Sequence, residues 1–353
     1  MKIGLRIPPA PPIERMRRLA ERAVDSGVDS LWWSDHLLSF ASPDLWTTQE
    51  GRPDESSLHT YADPFVCMTA CSTVTREVDI GVCVMDGVRR MPATLVQSAI
   101  SVAHAIEGRV LLGLGSGERM NYEPYGWTVE SPAAQFKQAA LDIRHFLDHS
   151  GPDERGAIVG LRPPKPANGP ELWIAAHGPK GFDLAGQCGD GWIPVALDHV
   201  GWREGRAAVV AAARSHGRDP DAITFAAAID VLVQESHEQA HQLLGHPAVR
   251  LGCLLVAPEV FTRYGVEHPL GGSAFESLVA TLAGPELLAA TAAIPDQLVH
   301  DQIPHGTPSE VAESISRFDG LEHVRLSDLS GLVPGGTGGL NRLLEIADRL
   351  RAG

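Results

Sequence analysis

The chain has 353 residues, a net charge of −15 and an apolar share of 44%. That length holds one large domain with insertions or two ordinary ones, and the apolar share supplies a well-buried core. The acidic balance excludes nucleic acid as a partner, because binding a phosphate backbone needs a cationic face.

No apolar run reaches the length of a membrane span, and the opening MKIGLRIPPAPP lacks the apolar stretch of a secretion signal. No membrane association and a cytoplasmic location are therefore expected. The cysteines at 67, 71, 83, 188 and 253 form no CxxC pair and have no matching histidine cluster. They read as small buried residues in a reducing compartment, and no metal site is expected.

In chain order, KIGLRI is a strand, and residues 13–26 follow as a helix with Ile13, Met16, Ala20, Ala23 and Val24 at helical spacing. Gly27 ends that helix, and VDSLWWSD resumes as a strand. DPFVCMTACSTV is a helix and VDIGVCVM a third strand. PATLVQSAISVAHAI is helical, with proline suited to its first turn. RVLLGLG is strand four and SPAAQFKQAALDIRHFL the next helix. ELWIAA, GPKGFDLAGQCG and DGWIPVAL give strand, helix and strand. A helix at 201–215 precedes the strand TFAAAIDVLV. The last pair is HVRLSDL and LNRLLEIADRL, whose Leu340, Leu343, Leu344, Ala347 and Leu350 share one face.

Strict alternation implies a parallel sheet with helical crossovers. Eight units favour an α/β fold closed as a (β/α)8 TIM barrel, with an open doubly wound sheet as the alternative. The expected organisation is one domain, 1–353, with a polar insertion at about 37–62 and a helical insertion at about 235–305. Insertions of this length serve as lids or substrate walls, or as packing and dimer elements. PGGTGG at 334–339 reads as a flexible connection.

In such barrels the active site lies at the C-terminal ends of the strands. Strand two ends in Ser34-Asp35-His36 and strand three in Cys83-Val84-Met85-Asp86. Strand four ends in Gly117-Glu118 with Asn121 just beyond, and strand five in Ala175-Ala176-His177-Gly178. His36 is a candidate general acid or base, since an imidazole titrates near neutrality. Asp35 orients that ring or caps a turn. Glu118 can exchange a proton if partly desolvated. The glycines of Gly113-Leu-Gly115-Ser-Gly117 do not form a dinucleotide clamp. That fingerprint needs G-x-G-x-x-G running into a helix, whereas Pro124 and Gly126 interrupt any helix here. Thinning the strand end to admit a flat ring is the alternative.

The Ser34-Asp35-His36 triplet, RRMPATLVQSA at 89–99, GRVLLGLGSGERMNYEPYGW at 108–127 and WIAAHGPKGFDLAGQCGDGWIP at 173–194 together carry a resemblance. They resemble the luciferase-like flavin and deazaflavin oxidoreductases, in the branch that uses coenzyme F420. GVCVMDGVRRMP, NYEPYGW and YGVEHPLG look similar to phthiodiolone-ketoreductase-like members.

The resemblance implies a barrel holding F420 across its mouth, with His36 beside the deazaflavin ring and Glu118 sharing the catalytic work. Asp35, Asp86 and Asn121 are then cofactor-binding, and Cys83-Val84 marks a non-prolyl cis peptide behind the ring. Ala176, His177 and Gly178 would contact the phosphate side. Arg89, Arg90 and Lys180 are candidates for the anionic tail. Phe40 stands where several relatives have tryptophan, and the basic residues of sugar-phosphate-binding relatives have no counterparts.

A homodimer acting on a small organic carbonyl, imine or alcohol is expected, as a ketoreductase-type enzyme transferring hydride at the deazaflavin C5 in a direction the sequence does not set, with Trp46 and Trp127 near the mouth. The competing readings are an FMN-dependent monooxygenase on the same barrel, a non-enzymatic ligand-binding protein and an NAD-dependent enzyme.

Overall fold

The computed structural model describes residues 1–38, 61–75, 77–149, 168–272, 282–333 and 339–352, with the short pieces 151–152, 158–159, 166, 274 and 336. Eight parallel strands form the barrel: β1 (Lys2–Arg6), β2 (Ser30–Trp33), β3 (Asp79–Asp86), β4 (Val110–Gly115), β5 (Glu171–Ile174), β6 (Gly191–Trp192), β7 (Thr224–Val233) and β8 (His323–Asp328). Each pairs with the next in sequence, and β8 returns to β1 through Lys2↔His323 and Ile3↔Val324. The expected (β/α)8 closure is therefore present, and the open sheet is excluded.

Eight helices alternate with the strands: α1 (Ile13–Asp25), α2 (Pro64–Cys71), α3 (Pro92–Ala103), α4 (Pro132–Asp148), α5 (Gly178–Cys188), α6 (His199–Ser215), α7 (Pro308–Ser316) and α8 (Leu340–Ala352). Their starts are encoded locally. Asp63 caps α2 by accepting from the backbone N–H groups of Phe65 and Val66, with Pro64 in the first turn. Thr307 and Glu310 form a reciprocal capping box on α7. Along α1 the spacing buries Met16, Ala20 and Ala23 against the barrel.

The barrel interior is filled by Trp32 and Trp173, whose ring centroids lie 5.6 Å apart, with Leu111, Ile193, Ala226 and Ala228 around them. Two large rings fit only because neighbouring strands carry glycine at the facing positions. A Cβ on Gly4 would lie 2.4 Å from Trp32 Nε1, and one on Gly81 would lie 2.5 Å from the same ring. The polar edges are satisfied, as buried indoles require: Trp32 Nε1 donates to Ser30 Oγ at 2.7 Å, and Ser30 Oγ pairs with His323 Nε2 at 2.7 Å. Burial pushes the His323 imidazole down to about 3, so it is neutral in this layer.

The N-terminal end of the barrel is closed by ion pairs of Asp79 with Lys2 and Arg109, and of Arg109 with Glu171. The reactive groups are gathered at the other end.

The strand read from DGWIPVAL is shorter in the structure. Only Gly191–Trp192 pairs regularly, followed by one bridge from Val195 to Ala228. Pro194 has no N–H to give a ladder, and Ala196 adopts a left-handed conformation with φ 52°. The segment between β7 and α7 is largely helical, running from the helix His237–Leu243 to the helix Asp296–Gln302. Its short helices enclose a separate apolar core that includes Leu244, Leu254, Phe261, Leu287 and Leu298. Residues 39–60, with Phe40 and Trp46, and most of 334–339 lie outside the described residues. All five cysteines are buried and free. Among the described residues no helix is long and apolar enough to cross a membrane.

Candidate active site

A cavity of about 270 Å³ opens at the C-terminal ends of β2 to β5, walled on one side by α4 and α5. Of the residues singled out from sequence, Asp35, His36, Val84, Asp86, Glu118, Asn121, Ala176 and His177 line it. Cys83 and Gly178 do not. Cys83 is turned into the barrel interior, its Sγ 3.9 Å from the guanidinium of Arg325, and burial pushes its thiol up. Gly178 is the first residue of α5, in a left-handed conformation with φ +73° that suits glycine.

The polar wall is a three-residue cluster. His36 Nδ1 lies 3.3 Å from Glu118 Oε2, and Asn121 Nδ2 donates to the same oxygen at 3.0 Å. Asn121 Oδ1 in turn accepts from the backbone N–H of Leu37 at 2.7 Å and of Leu38 at 3.2 Å. One amide thus ties the loop after β2 to the loop after β4. Burial opposes a charge on His36, yet the facing Glu118 carboxylate together with the Asp35 charge raises the imidazole above its usual range. The ring of Tyr61 packs 5.1 Å from His36.

Asp35 does other work. Its buried carboxylate binds Arg89 at 2.5 Å and Arg90 at 2.7 and 2.8 Å, and accepts from the backbone N–H of Asp86 at 3.1 Å. Burial alone would raise its carboxyl, but the two guanidiniums hold it below the ordinary carboxylate range. Arg89 and Arg90, candidates for an anionic tail, are therefore engaged with Asp35, and Arg90 also with Asp63. Lys180, near the N-terminus of α5, is the one of the three that lines the cavity.

Asp86 is buried and raised by desolvation. Its Oδ1 accepts from the backbone of Val88 and Arg89, while its Oδ2 makes no hydrogen bond and lies 3.5 Å from Arg89 Nε. His177 donates from Nε2 to the Val195 carbonyl at 2.5 Å, and burial keeps this imidazole below its usual range.

The glycines after β4 serve the fit between strands. A Cβ on Gly115 would lie 2.7 Å from Val84 Cγ2, and one on Gly117 would lie 2.5 Å from Asp86 Oδ1. They let the end of β3 press into the cavity floor. The non-prolyl cis peptide expected at Cys83–Val84 is present, and the β3–β4 register shifts there between Cys83 and Met85. Phe136, Leu184 and Val195 complete the apolar walls. Sequence reasoning did not single them out, because they are ordinary apolar residues on helix faces and beyond a two-residue strand.

Residues 1–321 match the family described as luciferase-like monooxygenase. The chain belongs to the luciferase-like family. It is 30% identical to the phthiodiolone/phenolphthiodiolone dimycocerosates ketoreductase of Mycobacterium tuberculosis over 340 residues, which cover 91% of this chain and 88% of that protein. Among solved structures it is similar to an F420-dependent secondary alcohol dehydrogenase in complex with an F420–acetone adduct. That likeness has a TM-score of 0.75, 21% identity and 99% coverage of both chains. It is also similar to the coenzyme F420-dependent tetrahydromethanopterin reductase of Methanopyrus kandleri, with a TM-score of 0.71, 15% identity, and 99% and 98% coverage. This luciferase-like enzyme places the His36–Glu118–Asn121 cluster on the ends of β2 and β4, across an apolar floor supplied by β3 and β5.

Proposed function

We propose that the chain is an F420-dependent oxidoreductase of the ketoreductase type, acting on a small organic carbonyl, imine or the corresponding alcohol. The observation that carries this reading is the His36–Glu118–Asn121 cluster set at the edge of a narrow, mostly apolar cavity. The ketoreductase and F420-dependent relatives support it.

The lining fits a flat heteroaromatic ring with an anionic tail. Val84, Ala175, Ala176 and Leu184 give apolar walls, and His36, Glu118 and Asn121 give a polar edge. Lys180 and the first turn of α5 offer positive charge for a phosphate. When bound, F420 supplies a hydride donor or acceptor at its deazaflavin C5.

The protein's own part is positioning and proton transfer. Glu118 accepts from His36 Nδ1, which leaves Nε2 to exchange the proton with a substrate oxygen or nitrogen. In the reductive direction His36 starts protonated and gives that proton to the developing alkoxide or amide. In the oxidative direction the neutral ring takes it back. Asn121 holds the Glu118 carboxylate against the ring, and Asp35 with its arginines fixes the backbone on which His36 stands. The apolar walls exclude water from the reacting atoms.

Reconstitution with F420 and assay against ketones, imines and secondary alcohols tests this. Saturable F420 binding with turnover on such a substrate is expected. The FMN-dependent monooxygenase reading rests on the family's description, and a chain that purifies with FMN, consumes oxygen and ignores F420 would establish it instead.

A further inference from the structure

Away from the barrel mouth, the start and the end of the helical insertion meet at a group of histidines. His237 and His241 lie one turn apart on the helix His237–Leu243, and i,i+4 spacing puts them on one face. His305 is on the two-residue strand His305–Gly306, which pairs with Leu232 and Val233 at the end of β7. One ring nitrogen from each of the three lies within 4.8 Å of the other two.

Two of the rings face an oxygen acceptor through Nδ1, His305 by a hydrogen bond and His237 at ion-pair distance. His237 Nδ1 lies 3.3 Å from Glu310 Oε1, and His305 Nδ1 lies 2.9 Å from the Ile303 carbonyl. Because the Ile303 carbonyl can only accept, His305 Nδ1 donates and its Nε2 keeps a free lone pair. That is the arrangement in which an oxygen acceptor orients a ligating imidazole. A fourth ring, His300, stands 4.7 Å from His241 and 5.0 Å from His305 between ring centroids.

We propose that His237, His241 and His305 form a site for a divalent transition metal of the Zn²⁺ class, with His300 or water as the fourth ligand. Neutral imidazoles suit such borderline cations, whereas Mg²⁺ and Ca²⁺ prefer oxygen donors. Tetrahedral Zn–N bonds of about 2.0–2.1 Å bring ligand nitrogens to roughly 3.4 Å apart. The three rings therefore close by up to about 1.4 Å on binding, and the solvent-exposed His241 can turn toward the other two. The bound ion would clip the first helix of the insertion to the strand by which it returns. This site is independent of the deazaflavin reading, because none of its residues lines the cavity.

The test uses the full chain without an affinity tag, stripped with EDTA. It is titrated with Co²⁺, followed by visible absorption, and with Zn²⁺, followed by calorimetry and thermal unfolding. One ion per chain at micromolar affinity or better, with a raised unfolding midpoint, is expected. His241→Ala and His305→Ala should each weaken binding by about tenfold or more, and His216→Ala, on the surface beside Asp183, should leave it unchanged. Circular dichroism confirms that the variants are folded. Absence of saturation below millimolar Zn²⁺ would overturn the proposal. So would equal affinity in wild type, His241→Ala and His305→Ala, which would place the ion elsewhere.

Discussion

His36 and Glu118 face each other at 3.3 Å, and that separation sets the pH behaviour of the site. The raised imidazole keeps its proton above the ordinary histidine range, despite burial. The sign follows: the pair stabilises the fold fully below the unfolded value of about 6.5, and that stabilisation is lost as pH rises through the raised value. Carbonyl reduction should decline through the same upper limb, because the proton donor is then lost. A pH–rate profile of Glu118→Gln should show the limb moved to lower pH, and an unmoved limb would detach Glu118 from His36. His36→Ala should lower kcat by roughly 10²- to 10⁴-fold, the usual contribution of a general acid. Asp35→Asn should cost about 3 kcal/mol in urea unfolding, since two largely buried guanidiniums lose their shared carboxylate and keep only Asp63 and Asp86. The sequence alone left Asp35 between two roles. Its neighbours Arg89 and Arg90 are distant in sequence, and only folding reveals that they bind it. The histidines at 237, 241 and 305 went unread for the same reason, since the turn of one helix links only two of them.

At the scale of elements, the fit of β3 against β4 decides the cavity floor. Gly115 leaves space for Val84, whose side chain would meet an added Cβ at 2.7 Å. Gly115→Ala should therefore displace Val84 and weaken F420 binding, measured by fluorescence titration. Restoring the space with Gly115→Ala/Val84→Ala should recover much of the loss. Unchanged binding in the single variant would show that Val84 yields without consequence. Most elements were legible, because apolar periodicity and caps such as Asp63 and Thr307 act locally. The truncation of β6 and the separate core of the insertion were not. The first reflects a left-handed Ala196, and the second depends on contacts between helices distant in sequence.

Over the whole molecule, several imidazoles are held neutral by burial: His323 at about 3, with His177, His199, His246 and His268 also below their usual range. Groups whose folded value is depressed below about 6.5 bind protons first in the unfolded state. Stability should therefore start to fall as pH drops below about 6.5, above the carboxylate range, and His36 opposes this only in part. Thermal unfolding between pH 7.5 and 5 checks it, and a flat midpoint would contradict it. Barrel closure was readable from eight alternating units, whereas the Trp32–Trp173 filling was not, because it depends on which glycines face which rings. The central claim is that this barrel carries out deazaflavin chemistry with His36 as proton carrier. The most direct measurement is an anaerobic single turnover, in which the chain is loaded with reduced F420, mixed with a panel of ketones and followed by the absorbance of the oxidised deazaflavin. Ketone-dependent oxidation by wild type is expected, with retained binding but greatly slowed oxidation in His36→Ala. Failure to bind F420, or oxidation equally fast in both proteins, would contradict it.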